Sequence, residues 1–128
     1  MPRDKNRTQF CTTFMSGPQD GKTQEWLVPA NADQVELTIG RLEGCDIHIE
    51  YDTQVSRQHA RVLYDARHDL FYVEDAGSRN GTYLEQTKIT GRVPLKPGEL
   101  FRVGRTWMRV DPDDNEVDSD PEGDDLPF

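Results

Sequence analysis

A chain of 128 residues is long enough to bury one core without disulfide or metal staples, and it suits a single module. Its hydrophobic content of 34% is low for a globular domain, so part of the length is expected to stay solvated. The formal net charge of -9 excludes a strongly basic nucleic-acid-binding protein, but it is unevenly spread: nine of the 24 acids fall within residues 111–128, which hold no Lys or Arg, leaving 15 acids against 15 bases elsewhere.

Residues 1–9 open the chain as a polar arm, MPRDKNRTQ, without the apolar core of a signal peptide. Strand-like stretches follow at 9–15, 23–28 and 35–40, separated by turn clusters such as SGPQDGK. The clearest alternation is DIHIEYD at 46–52, where Ile47, Ile49 and Tyr51 face one way and His48, Glu50 and Asp52 the other. Further strands are predicted at 59–65, 70–75, 82–85, 99–103 and 106–110, and no window sustains a helical period. Ahead of the strand at 99–103, Pro97 and Gly98 suit the second and third positions of a type II turn. The stretch DAGSRNGTYL at 75–84 holds Asn80-Gly81, a pair fit for a two-residue hairpin turn.

This pattern predicts an all-β fold, an antiparallel sandwich or barrel, over residues 10–110, followed by a disordered acidic tail at 111–128. Cys11 and Cys45 form no metal-spaced cluster, and no apolar run approaches the 18 residues of a membrane span. A reduced, cytoplasmic location is expected, with no membrane or nucleic-acid partner.

Three loops carry more polar chemistry than a turn requires. Gly40-Arg41 ends one strand, Ser56-Arg57-Gln58-His59 precedes another, and Ser78-Arg79-Asn80-Gly81 lies inside DAGSRNGTYL. Together they supply guanidinium forks, hydroxyls, an amide and loop N–H groups, which are the donors that a phosphate needs. Ser56 and His59 also invite a nucleophile-and-base reading, but no third group and no strand-to-helix elbow accompany them, so no enzyme is expected. His48, Glu50 and Asp52 lie in a row rather than converging, which predicts a solvated face and no metal. Arg41 taken alone is compatible with a surface ion pair to Glu43 or Asp46.

The blocks Gly40-Arg41, Ser56-Arg57-x-His59-Ala60, Asp75-x-x-Ser78-x-Asn80-Gly81-Thr82 and Leu95-x-x-Gly98, with Gly104 beyond, resemble the motif set of the forkhead-associated (FHA) domain family in order and spacing. The resemblance implies an FHA/SMAD-like β-sandwich of about eleven strands with its ligand loops at one end, binding phosphothreonine peptides without catalysis or cofactor. It implies that Arg41 pairs with the phosphate, Ser56 donates its hydroxyl to it, Arg57 assists or contacts the peptide, and Asn80 binds the ligand's main chain. Ser78 and Arg79 would line the site. Gly40, His59, Asp75 and Gly81 would support it, His59 by tying the Ser56 loop to its neighbour and Asp75 by accepting N–H bonds within its own loop.

The partners so implied are phosphothreonine proteins, either substrates of a Ser/Thr kinase or the kinase itself. A phosphorylated N-terminal arm, through Thr8, Thr12 or Thr13, is a further candidate ligand, although the β propensity of Thr12 and Thr13 favours reading those two as ordinary strand residues, and the acidic tail is a weak competitor for the basic loops. The alternative function is a phosphorylation-independent scaffold that uses a sandwich face or edge.

Overall fold

The computed structural model describes residues 7–112. The arm expected at 1–9 and the tail expected at 111–128 therefore lie largely outside the described residues. Eleven strands are described: β1 (Gln9–Phe14), β2 (Thr23–Leu27), β3 (Gln34–Gly40), β4 (Ile47–His48), β5 (Ala60–Asp65), β6 (Leu70–Asp75), β7 (Thr82–Leu84), β8 (Thr87–Lys88), β9 (Arg92–Leu95), β10 (Phe101–Val103) and β11 (Thr106–Pro112). They form one sheet in the order β2-β1-β11-β10-β7-β8 and another in the order β4-β3-β5-β6-β9. The β3–β4 pair is parallel, and the other pairs are antiparallel.

Alternation explains the sandwich. Ala60, Val62 and Tyr64 of β5, Phe71 and Val73 of β6, Phe101 and Val103 of β10, and Met108 and Val110 of β11 turn inward and are buried. Phe10, Tyr64 and Phe71 meet with ring centroids 4.8 to 5.5 Å apart, the tilted and edge-on geometry that aromatic quadrupoles favour. Lys96–Glu99 forms the expected turn: the Glu99 N–H donates to Lys96 C=O at 3.0 Å, and Gly98 sits at φ +81°.

Four expectations need correction. The strand expected at 46–52 shrinks to Ile47–His48, because its parallel partner β3 ends at Gly40. Asp52 does not share a solvated face with His48 and Glu50; it is only 6% exposed and turns inward to hydrogen-bond donors. Asn80-Gly81 makes no hairpin, since β6 and β7 belong to different sheets, and of the two residues only Gly81 has positive φ, +89°. Strands β8 and β9 escaped the alternation test, the first because it has two residues and the second because Pro94 interrupts it, which an edge strand tolerates.

The register defines two poles. Gly40, Ala60 and Asp75 end their strands together, as do Val103, Thr82 and Thr106 in the other sheet. At the opposite pole the Val28 N–H donates to Thr8 C=O, and the Ala66 N–H donates to Asp33 C=O. There Arg7 forks onto Asp69, Nε to Oδ1 at 2.8 Å and Nη2 to Oδ2 at 3.1 Å, while the Tyr64 hydroxyl donates to Oδ1 at 2.7 Å.

This geometry overturns the idea that Thr8, Thr12 or Thr13 folds back as a ligand of its own domain. Thr12 is 1% and Thr13 7% exposed; Thr12 accepts the Trp26 indole N–H at 3.0 Å, and Thr13 shares a 3.0 Å bond with the Thr23 hydroxyl. Thr8 is anchored one residue before β1, at the pole away from the loops. Cys11 and Cys45 are unbridged. Among the described residues no helix is long and apolar enough to cross a membrane.

Candidate functional site

The site begins where β3 stops. A Cβ on Gly40 would lie 2.0 Å from the Arg57 carbonyl oxygen, so only glycine lets the 49–59 segment cross this strand end. The crossing is held by the Arg41 N–H donating to Ser56 C=O at 3.1 Å and the Leu42 N–H donating to Arg57 C=O at 3.2 Å. Arg41 Nε then donates to Val55 C=O at 2.6 Å, which orients the guanidinium and leaves its outer nitrogens for a ligand. The ion pair to Glu43 or Asp46 does not form: Asp46 instead accepts the N–H and hydroxyl of Thr38.

His59 is the fully buried link between two loops. Its Nδ1 accepts the Ser56 N–H at 2.9 Å, which places the ring proton on Nε2, donating to Gly81 C=O at 2.8 Å. Burial pushes its pKa below the ordinary imidazole value and outweighs the bond to Gly81 and the charges of Asp75 and Asp52, favouring the neutral ring. Because the imidazole meets the main chain of Ser56 and not its hydroxyl, the two are not a nucleophile and its base. The Ser56 Oγ accepts the Arg79 N–H at 3.0 Å, so its own proton is available to a ligand oxygen. Asn80 Nδ2 donates to Gln54 C=O at 2.9 Å, which stitches the same loops a second time.

Asp75 braces its loop from behind. It accepts the N–H groups of Gly77 and Ser78 and the hydroxyls of Ser78 and Thr82. Burial alone would raise its pKa, but these four bonds outweigh it and hold the carboxyl below its ordinary range. Ser78 consequently departs from its expected place. Its hydroxyl donates to Asp75 and accepts the Gly81 N–H at 2.9 Å, so it points into the loop and does not line the cleft.

Sequence reasoning missed Asp52. Its Oδ1 accepts the Gln54 N–H at 3.0 Å, and its Oδ2 accepts the Arg105 N–H at 2.7 Å and the Thr106 hydroxyl at 2.8 Å. These bonds overcome the rise that burial would bring and lower its pKa. The one sequence signal was an Asp two residues ahead of a loop amide, the Asx-turn spacing. Gly104 lets the β10–β11 turn pack beneath this loop, since a Cβ there would meet Val55 at 2.8 Å and Asp52 at 3.0 Å.

The three loops enclose an open cleft of about 370 Å³. Arg41, Ser56, Arg57, Arg79 and Asn80 line it, with Gln54 and Gln58 among their neighbours and no Asp or Glu. Gly40, His59, Asp75 and Gly81 stand behind it as supports. Three guanidinium cations without a carboxylate, beside a free hydroxyl proton, form a receptor for a multiply charged oxyanion.

A family model described as FHA domain matches residues 37–104. The FHA domain-containing protein FhaB of Mycolicibacterium smegmatis is 38% identical over 76 residues, 59% of this chain and 47% of that protein. The chain thus spans about half the length of the curated relatives it matches. The solution structure of the FHA domain of an Arabidopsis thaliana hypothetical protein superposes with a TM-score of 0.70 at 24% identity, covering 91% of this chain and 92% of that one. A structure from work on phosphothreonine-dependent FHA domain interactions gives a TM-score of 0.65 at 23% identity, covering 81% and 96%. At such identities the solved structures establish a shared fold.

Proposed function

The chain belongs to the FHA domain family, and on that premise we propose that its cleft binds phosphothreonine peptides as a non-catalytic reader in Ser/Thr-kinase signalling. The observation that carries the reading is the convergence of Arg41, Arg57 and Arg79 with the Ser56 hydroxyl on one cleft free of carboxylates. The link between a structure of the same fold and phosphothreonine-dependent interactions supports it.

Arg41 is the primary phosphate anchor, because its side chain is already oriented through Nε while its outer nitrogens remain open. Ser56 donates to a phosphate oxygen. Arg57 and Arg79 flank them, Arg79 from the loop between β6 and β7, and Asn80 reads the ligand's main chain through its carbonyl oxygen. A phosphate near charge -2 held this way gains charge-assisted bonds worth roughly 1.5 to 3 kcal/mol each. The binding domain spans residues 10–110, acts in the cytoplasm, and takes as partners the substrates of a Ser/Thr kinase or the kinase itself.

The test is a titration of one peptide in phosphothreonine, phosphoserine and unphosphorylated forms against the parent chain and Arg41→Ala. Binding restricted to the phosphorylated forms, strongest for phosphothreonine and lost in Arg41→Ala, is the expected result. Equal binding of all three forms would sink the reading and leave a phosphorylation-independent scaffold in its place.

A further inference from the structure

A second, smaller pocket of about 230 Å³ adjoins the cleft, and Thr53 lines both. Gly17 and Pro18 from the β1–β2 connection, Tyr51 and Asp52 from the segment after β4, and Arg105 from the β10–β11 turn form its walls. The Tyr51 hydroxyl is shielded from solvent yet has no hydrogen-bond partner, alone in this among the buried side-chain polar atoms of the described residues. The Thr106 hydroxyl lies near enough to influence the phenol but outside bonding geometry, and it already donates to Asp52. Burial pushes the phenol's pKa up, and the opposing influence of Thr106 does not cancel it beside the Asp52 charge, so the group keeps its proton and remains a donor without an acceptor.

The remaining polar groups narrow what fits. Asp52 accepts three bonds, one on Oδ1 and two on Oδ2; a carboxylate offers about four acceptor sites, so one stays open on Oδ1. The pocket therefore presents a donor in Tyr51 and an acceptor in Asp52. Arg105 could offset the charge of a ligand carboxylate, but a carboxylate has no donor for the open site on Asp52, and an aliphatic side chain would leave Tyr51 unsatisfied as well. A carboxamide matches both groups: its oxygen accepts from Tyr51, its nitrogen donates to Asp52, and its short apolar stem lies against Pro18. We infer that this pocket is a second recognition site that takes the Asn or Gln side chain of a ligand residue lying within a few positions of the phosphothreonine. The inference rests on the phosphothreonine reading of the neighbouring cleft.

The experiment uses the full chain and a set of phosphothreonine peptides in an alanine background, with Gln, Asn, Glu or Leu placed at one position at a time on either side, read by fluorescence anisotropy. One position is expected at which Gln or Asn tightens binding by about three- to tenfold over Ala, the worth of one or two net hydrogen bonds. Glu and Leu at that position give no such gain. Tyr51→Phe removes only the unpartnered hydroxyl, so it is expected to fold as stably as the parent, and it brings the Gln peptide down to the affinity of the Ala peptide. A phosphate-dependent series with no position favouring a carboxamide overturns this inference and leaves the phosphothreonine reading standing. A gain for Glu or Leu, or a Gln gain that survives Tyr51→Phe, overturns it equally. Loss of phosphate dependence throughout defeats both readings.

Discussion

The two poles of the sandwich use the same residue types to opposite ends. At the pole of Arg7, guanidinium and carboxylate face each other: Asp69 is forked by Arg7 and also accepts from Tyr64, whose phenol is pushed up to about 12 by burial, with the Asp69 bond and charge adding to it. At the pole of the cleft the carboxylates of Asp52 and Asp75 accept only main-chain N–H groups and hydroxyls, while Arg41, Arg57 and Arg79 have no acid among the described residues. Charge is neutralised locally at the first pole and left open at the second. Arginine count alone would not distinguish them; what the acids are bonded to does.

The sharpest break in this comparison is a pair of substitutions. Arg41→Ala is expected to weaken phosphothreonine-peptide binding by about a hundredfold, the loss of one or two charge-assisted bonds, with little change in melting temperature. Arg7→Ala should do the reverse, lowering stability by about 1 kcal/mol while the affinity holds. Calorimetric titration and thermal denaturation of both variants decide it; a common loss of affinity would mean that the poles are not independent.

Gly40→Ala tests whether the open pole depends on backbone contact. The new Cβ would sit 2.0 Å from the Arg57 carbonyl oxygen, so urea denaturation should show a loss of about 2 to 3 kcal/mol, with weakened binding as the two loops separate.

Acidity should affect the cleft pole before the other. His59 has a lowered folded-state pKa, so below the ordinary value of about 6.5 the unfolded chain binds the extra proton first, and stability falls with pH at up to about 1.4 kcal/mol per unit. The fall ends once pH passes the folded pKa. Asp52, Asp69 and Asp75 are also lowered, and their contribution is lost at more acid pH, as it falls from about 3.8 through their folded values. Melting curves of the ligand-free chain between pH 7.5 and about 5 isolate the His59 part. A flat profile there would contradict the neutral bridge between Ser56 and Gly81.

The smallest effect comes from making the cleft resemble the other pole. Gln58→Glu introduces a carboxylate among its guanidiniums and should cost about three- to tenfold in affinity at unchanged stability, with the deficit shrinking as salt rises.

Much of this molecule was legible in its sequence because period-two alternation is a local property. Strands β5, β6 and β11 show it directly, and Pro97-Gly98 announced its turn. Arg41, Ser56 and Asn80 stood out as polar chemistry beyond what turns need, and the order of the motifs tied them to one site. What stayed hidden depends on direction and partner. Ser78 was read as facing a ligand because a sequence names a hydroxyl without saying where it points; Asp75 captures it. Asp52 looked like the polar face of a strand because alternation assumes that the strand continues, and β4 ends four residues earlier. Thr12 and Thr13, which also read as ordinary strand residues, proved to be just that: the register sets Thr23 opposite Thr13, and the Trp26 indole reaches across to the Thr12 hydroxyl.

Strands β1 and β11 lie side by side, with Phe10 opposite Pro112 at the pole away from the cleft. Tension applied through these two ends would therefore open the pair like a zipper, loading one rung at a time, and would reach Met108, opposite Phe14 near the loops, last. A strand pair sheared along its length shares the load over all its bonds; this one does not. The domain should yield to modest pulling force, and the rungs nearest the cleft should be the last to part.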